Sequence, residues 1–148
     1  MKYFAYGSNM DANRMKERKI NFISRKFAVL PGYSLVFNKK SCNGNFSYAN
    51  ILPAEDKQVE GVLYEFPDRE ILKLDVFESC PEQYIRIEIT VHDQRGNRIP
   101  AVTYIAHPDK IVDGHLPEKE YLDHLLAGKD LLSEKYIDFL MTIRTIKV

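Results

Sequence analysis

The stretch Tyr3-Phe4-Ala5-Tyr6-Gly7-Ser8-Asn9 runs from an uncharged apolar segment into three turn-forming residues, and Asp11 to Arg18 follows without a Gly or Pro. That order predicts a buried strand, a tight turn and a helix, with Ser8 or Asn9 as the helix cap. Such a turn points free backbone N–H groups outward. Its glycine admits a ligand close to the main chain, and N–H groups at a helix start favour an anionic partner such as a carboxylate. The plainer reading, an ordinary strand-to-helix connection, stays open on these residues alone. Ser8 carries the hydroxyl of a nucleophile, yet no His or Lys beside it in sequence would activate it, so capping is the favoured role. A phosphate cradle fits less well, because the loop lacks the further glycines and the lysine of such sites.

The second chemical candidate is Glu78. Pro67-Asp68 predicts a helix start, and the helix runs to Phe77 or Glu78. At about 100° per residue, Ile71, Leu74, Asp75 and Glu78 share one stripe, with Arg69, Glu70 and Lys73 opposite. A glutamate turned toward a pocket wall loses solvation, its pKa rises, and it becomes fit to exchange protons near neutral pH. In the alternative the helix has already ended, and Glu78 is solvated in the loop Ser79-Cys80-Pro81. Tyr6, Tyr84 and Tyr104 are candidates for pocket walls, although a tyrosine in a strand is more often core or rim filler.

The elements that must position these residues come from a chain of 148 residues, long enough for one core and short for two. Its 45% hydrophobic and 28% charged content is that of a globular domain, so one domain is expected over residues 1–148. The 21 basic and 21 acidic side chains cancel, leaving no net field to recruit nucleic acid or an anionic membrane. Apolar windows fall far short of the roughly 18 residues of a membrane span, and Met1-Lys2 leads straight into the first strand rather than a secretory leader. A cytoplasmic protein is the expectation. Cys42 and Cys80 lack Cys-x-x-Cys spacing, and the histidines at 92, 107, 115 and 124 are scattered. Neither a metal site nor a cofactor site is therefore expected, and both cysteines should remain thiols.

Strand patterns dominate after the first helix. Phe22 to Leu30 is a candidate strand, Pro31-Gly32 a turn, and Tyr33 to Phe37 a clearer strand. A loop at Cys42-Asn43-Gly44-Asn45 reads as flexible. Phe46 to Leu52 and Val59 to Phe66 come next, and Gly61 inside the latter suggests a bulge or a sharp bend where the sheet curls. Tyr84 to His92 alternates with period two, Arg95-Gly96-Asn97 makes a hairpin, and Ile99 to Ile105 completes it. Helical patterns cover Pro117 to Ala127, stopped by Gly128, and Ser133 to Thr142. Tyr121, Leu122 and Leu125 share a face that must pack on the domain. The tail Ile143 to Val148 reads as a last strand. The class is α+β, a small curled, barrel-like mixed or mostly antiparallel sheet with a few flanking helices.

Joined, the opening Tyr-Phe-Ala-Tyr-Gly-Ser-Asn, Leu74-Asp75-x-x-Glu78 and the strand led by Tyr84 resemble the gamma-glutamylcyclotransferase-like family. Ala49-Asn50-Ile51-Leu52-Pro53, Val59 to Tyr64 and Pro117-x-x-x-Tyr121 with Gly128 extend the resemblance along nearly the whole chain. It implies a small β-barrel that releases 5-oxoproline from γ-glutamyl compounds. It also implies that Tyr3 to Ser8 form a substrate-binding loop, that Glu78 is the acid/base and that Tyr121 touches substrate. Many relatives follow the glutamate with glycine, where this chain has Ser79. Cyclising a γ-glutamyl group needs the α-amine deprotonated, held over the γ-carbonyl, and the leaving nitrogen protonated; one carboxyl group can do both transfers. Two readings of different class follow, a cyclotransferase acting on a small γ-glutamyl amine, amino acid or peptide, and a catalytically silent binding module on the same scaffold. The presence of Glu78 favours the enzyme.

Overall fold

A computed structural model describes residues 1–146. Five strands, β1 (Lys2–Ala5), β2 (Ser24–Lys40), β3 (Ser47–Glu65), β4 (Tyr84–His92) and β5 (Arg98–Ala106), close into a barrel in the order β1-β3-β2-β4-β5. All pairs are antiparallel except β1 with β5. Four helices flank it: α1 (Ala12–Glu17), α2 (Ile71–Phe77), α3 (Lys119–Leu126) and α4 (Glu134–Met141).

Alternation along β1 sorts its side chains between two cores. Phe4 and, just past the strand, Tyr6 join a cluster drawn mainly from the barrel strands, with Leu30, Ile51, Val59 and Val91. Tyr3 and Ala5 face a second cluster in which Met10, Met15, Leu74, Leu122, Leu125 and Leu140 bring the helices onto the barrel. Polar ties fix two of these helices. Ser133, the cap of α4, donates from its backbone N–H and hydroxyl to the buried Glu60 of β3 at 2.8 and 2.6 Å. Asp75 of α2 accepts from the Tyr104 hydroxyl at 2.6 Å and pairs with Arg86 at 2.8 Å, so α2 is latched to the β4–β5 hairpin.

Several local expectations change. Pro31-Gly32 is no turn, because β2 runs through it and the register against β3 shifts between Pro31 and Tyr33, with Gly32 at φ +81°. The excess lies on the other strand: Pro31 faces Gln58 and Tyr33 faces Pro53, so residues 54–57 bow outward and the two predicted strands of 46–66 are one. Gly61 sits in unbroken register, opposite Ala28, and is no bulge. A Cβ there would lie 2.4 Å from the Ala5 carbonyl oxygen, so the glycine serves close approach of β1 to β3. Glu70 is buried, not on an outer face. Residues 68–70 form a 3-10 turn with about three residues per turn, so the 100° wheel fails there. Its carboxylate accepts from the Asn21 N–H at 2.6 Å and pairs with Lys73. Residues 143–146 form no strand, though the Ile146 N–H reaches the Pro117 carbonyl at 3.0 Å; residues 147 and 148 of the predicted tail lie outside the described residues. No helix among the described residues is long and apolar enough to cross a membrane.

Candidate functional site

Residues 8–10, after β1, form a single 3-10 turn. Neither Ser8 nor Asn9 caps α1. Asp11 does so, its carboxylate accepting from the N–H groups of Asn13 and Arg14, because the turn inserted before the helix moves the cap position downstream. Freed from capping, Asn9 is buried and bridges the site. Its amide nitrogen donates to the Tyr3 hydroxyl at 3.0 Å and to Glu78 Oε1 at 2.9 Å, and its amide oxygen accepts from Arg18 at 2.9 Å. Among the described residues, the backbone N–H groups of Gly7, Ser8 and Asn9 find no hydrogen-bond acceptor.

Glu78 falls between the two expectations for it. Helix α2 has ended and Glu78 is its C-cap, yet the carboxyl group turns inward and its side chain is 17% exposed. A hydrogen-bonded cap produces this. The N–H of Cys80 reaches the Asp75 carbonyl at 2.9 Å and that of Ser79 reaches Val76 at 3.1 Å, the paired bonds that close a helix around a left-handed residue. Ser79 is that residue, at φ +49°. The chain thus keeps a glycine-type conformation with serine in place. Ser79→Gly should relieve about 1 kcal/mol of left-handed strain while losing a similar amount to the freer unfolded chain. The expected result is a stability change below about 1 kcal/mol in denaturant titration; a larger loss would show that the serine side chain matters to the cap.

Burial raises the Glu78 pKa, opposed by the Arg18 guanidinium, whose Nη1 lies 3.8 Å from Oε1, and by the hydrogen bond from Asn9. Oε2 carries no hydrogen bond among the described residues. The carboxyl group is therefore held at one oxygen and free at the other, a suitable arrangement for moving a proton.

Two spaces meet at this group. A recess of about 40 Å³ lies against Tyr3, Tyr6, Gly7 and Asn9. A cleft of about 330 Å³ lies against Arg14, Arg18, Lys39, Tyr48 and Gln83. Ser8, Glu78, Tyr84 and Tyr121 line both. Behind them, the Ala49 peptide is clamped, its N–H donating to Tyr121 Oη at 3.0 Å and its carbonyl accepting from Tyr84 at 2.9 Å. Gly7 has φ −111°, so its importance is space rather than handedness: a Cβ would stand 3.1 Å from Tyr121 Oη. Burial raises the pKa of Tyr3, Tyr6, Tyr84 and Tyr121, keeping these phenols protonated as donors.

Of the residues singled out from sequence, Phe4, Ala5 and Tyr104 stay out of both spaces. Phe4 packs in the barrel core, Ala5 against the helices, and Tyr104 on Asp75. Strand alternation does not separate them, since Tyr3 and Tyr6 lie on opposite faces and both reach the recess. Sequence reasoning passed over Arg14, Arg18 and Lys39. The arginines, four apart at Arg14 of α1 and its C-cap Arg18, carried a readable signal, because that spacing places both on one side of the helix. Lys39 carried none, since nothing in Lys39-Lys40 tells which lysine turns inward. The loop expected to be flexible borders the cleft through Cys42 and Asn43, and the Ser41 N–H bonds to the Phe46 carbonyl across its base. Both cysteines are thiols. Among the described residues no group of three His, Cys, Asp or Glu side chains could hold a metal ion.

A small closed mixed barrel with a carboxyl group at its helix-capped rim defines the class of fold. The family described as gamma-glutamyl cyclotransferase, AIG2-like, matches residues 3–123, and the chain belongs to it. It is 30% identical over 107 residues to a gamma-glutamylcyclotransferase from Bos taurus, a match covering 69% of this chain and 57% of the bovine protein. A solved gamma-glutamyl cyclotransferase superposes with a TM-score of 0.86 at 23% identity, covering 100% of this chain and 90% of that one, a likeness of fold. A protein from Homo sapiens described as uncharacterized superposes equally well, at TM-score 0.86 and 25% identity, covering 99% of this chain and 89% of that one.

Proposed function

We propose that this chain is a cytoplasmic, single-domain γ-glutamyl cyclotransferase that releases 5-oxoproline from a small γ-glutamyl amine, amino acid or peptide. The observation that carries the reading is the inward Glu78 carboxyl group, with raised pKa, one oxygen fixed by Asn9 and the other open. Glu78 takes a proton from the substrate α-ammonium, the freed amine attacks the γ-carbonyl carbon, and Glu78 passes that proton and then the second proton of the attacking nitrogen to the leaving nitrogen as the C–N bond breaks, so the ring keeps one N–H and the amine leaves as ammonium. The nucleophile belongs to the substrate, so no covalent enzyme intermediate forms. Holding a ring-forming conformer supplies several kcal/mol, on the order of 7 in favourable cases. The unpaired N–H groups of Gly7, Ser8 and Asn9 are suited to an anionic oxygen, either the α-carboxylate or the developing oxyanion, where a preorganised donor is worth about 3 kcal/mol. The route draws on a carboxyl group and hydrogen-bond donors alone. A panel of γ-glutamyl amines, amino acids and peptides, assayed for 5-oxoproline, tests the reading; silence across the panel overturns it.

Tyr121 contributes from the shared wall. Its oxygen accepts from the Ala49 N–H, which leaves its own proton to donate to substrate. Tyr121→Phe is expected to lower kcat/KM about tenfold or more and, by stranding the Ala49 N–H, to cost about 1–3 kcal/mol of stability. Lowered stability with unchanged kinetics would assign the hydroxyl to the backbone clamp alone.

A further inference from the structure

The outer cleft carries three cations, Arg14, Arg18 and Lys39, against one carboxylate, Glu78. Arg18 lies near that carboxylate. Lys39 does not: it is 2% exposed, and its ammonium pairs with no carboxylate within 4.0 Å among the described residues. Its hydrogen bonds go to the Lys40 carbonyl and to Gln83 Oε1, both at 2.7 Å, and it stands 5.7 and 5.5 Å from the ring centroids of Tyr48 and Tyr84. Two of its three N–H donors are thus used by neutral groups. A buried cation without an anion is costly to fold, and a ligand anion is the ordinary means of offsetting it. Arg14 adds to the same deficit, since its buried Nε has no partner among the described residues.

Position decides which ligand group this is. Ser8, Glu78, Tyr84 and Tyr121 border both spaces, so the reacting atoms belong between them. Lys39 borders only the larger outer cleft, whereas the turn with its free N–H groups borders the recess. The leaving amine departs by the larger space, so the substituent it carries lies on the Lys39 side.

We propose, resting on the cyclotransferase reading, that Lys39 is a specificity residue that binds a carboxylate on the leaving amine, which makes γ-glutamyl amino acids or peptides with a nearby carboxylate the preferred substrates over uncharged γ-glutamyl amines. The Gln83 bond and the two tyrosine rings hold the ammonium at the wall, so the charge is presented at one place rather than swept through the cleft.

The test compares γ-glutamylalanine with γ-glutamylethylamine, which lacks the second carboxylate, on the wild type and on Lys39→Met. Wild-type kcat/KM is expected to favour γ-glutamylalanine about 10- to 100-fold, the value of a charge-assisted hydrogen bond. Lys39→Met should erase that ratio by losing activity on γ-glutamylalanine, and Lys39→Arg should restore part of it. Equal losses on both compounds would overturn the proposal, because they would place Lys39 on the α-carboxylate common to both or in a purely structural role. A wild-type ratio near one overturns it without any variant, so a Lys39→Met chain that fails to fold does not rescue it. If neither compound releases 5-oxoproline and the wider panel is silent too, the cyclotransferase reading fails, and calorimetry of the same pair on the wild type still decides the subsite: tighter γ-glutamylalanine supports it and equal affinities sink it.

Discussion

Glu78→Gln is expected to fold like the wild type and to release 5-oxoproline about 100-fold more slowly or worse, the loss typical of a deleted acid/base group. The amide matches the carboxyl group in size and its oxygen can still accept from Asn9, so the cap at Ser79 and Cys80 persists. What it cannot do is carry the proton. The pH dependence gives a second signature. Burial raises the Glu78 pKa, so the acidic limb of wild-type kcat/KM should lie above the ordinary glutamate value of about 4.3. Because the native pKa exceeds the unfolded one, the contribution of Glu78 to stability is greatest below the unfolded pKa. It falls as pH rises through the native value, and the glutamine variant should lose that slope. Near-normal turnover by purified Glu78→Gln would remove Glu78 as the acid/base.

Gly61→Ala should destabilise the barrel by about 3 kcal/mol, at the upper end of overpacking costs, and lower the Tm by roughly 6–12 °C. The added methyl would meet the Ala5 carbonyl oxygen at 2.4 Å and the Phe4 ring at 2.7 Å. Neither neighbour yields easily: Ala5 is paired with Val62, and Phe4 is fully buried with its carbonyl accepting from Thr103 at 2.7 Å. Since β1 feeds directly into the Gly7–Asn9 turn, a displaced Ala5 also shifts the site, and kcat should fall with stability. An unchanged denaturation midpoint would show that β1 and β3 can part at no cost.

The comparison of sequence with structure turns on these same residues. The strand-turn opening, the helix carrying Leu74 and leading to Glu78, the β4–β5 hairpin and the two C-terminal helices were legible because each follows from local periodicity, turn residues or a capping residue. Glu78 was legible as a carboxylate on an apolar stripe, although the wheel could not say that it would be the cap residue beyond the helix. Four adjacent strand candidates proved to be two long bent strands, because only closure of the barrel makes residues 24–40 and 47–65 pair through their irregularities.

What the sequence by itself determined is the α+β class and the residue types available to the rim, since hydrophobic spacing and residue type need no partner to be read. The tertiary structure decided which side chains share a space. Asn9 left its expected capping role to hold Glu78 because the 3-10 turn passed the cap to Asp11. Phe4, Ala5 and Tyr104 went to the packing, and Lys39 entered the cleft beside residues 44 and 45 positions further along the chain, Gln83 and Tyr84. Such pairings depend on the register and closure of a sheet, which bring distant residues together by hydrogen bonds and packing between strands that no window along the chain contains.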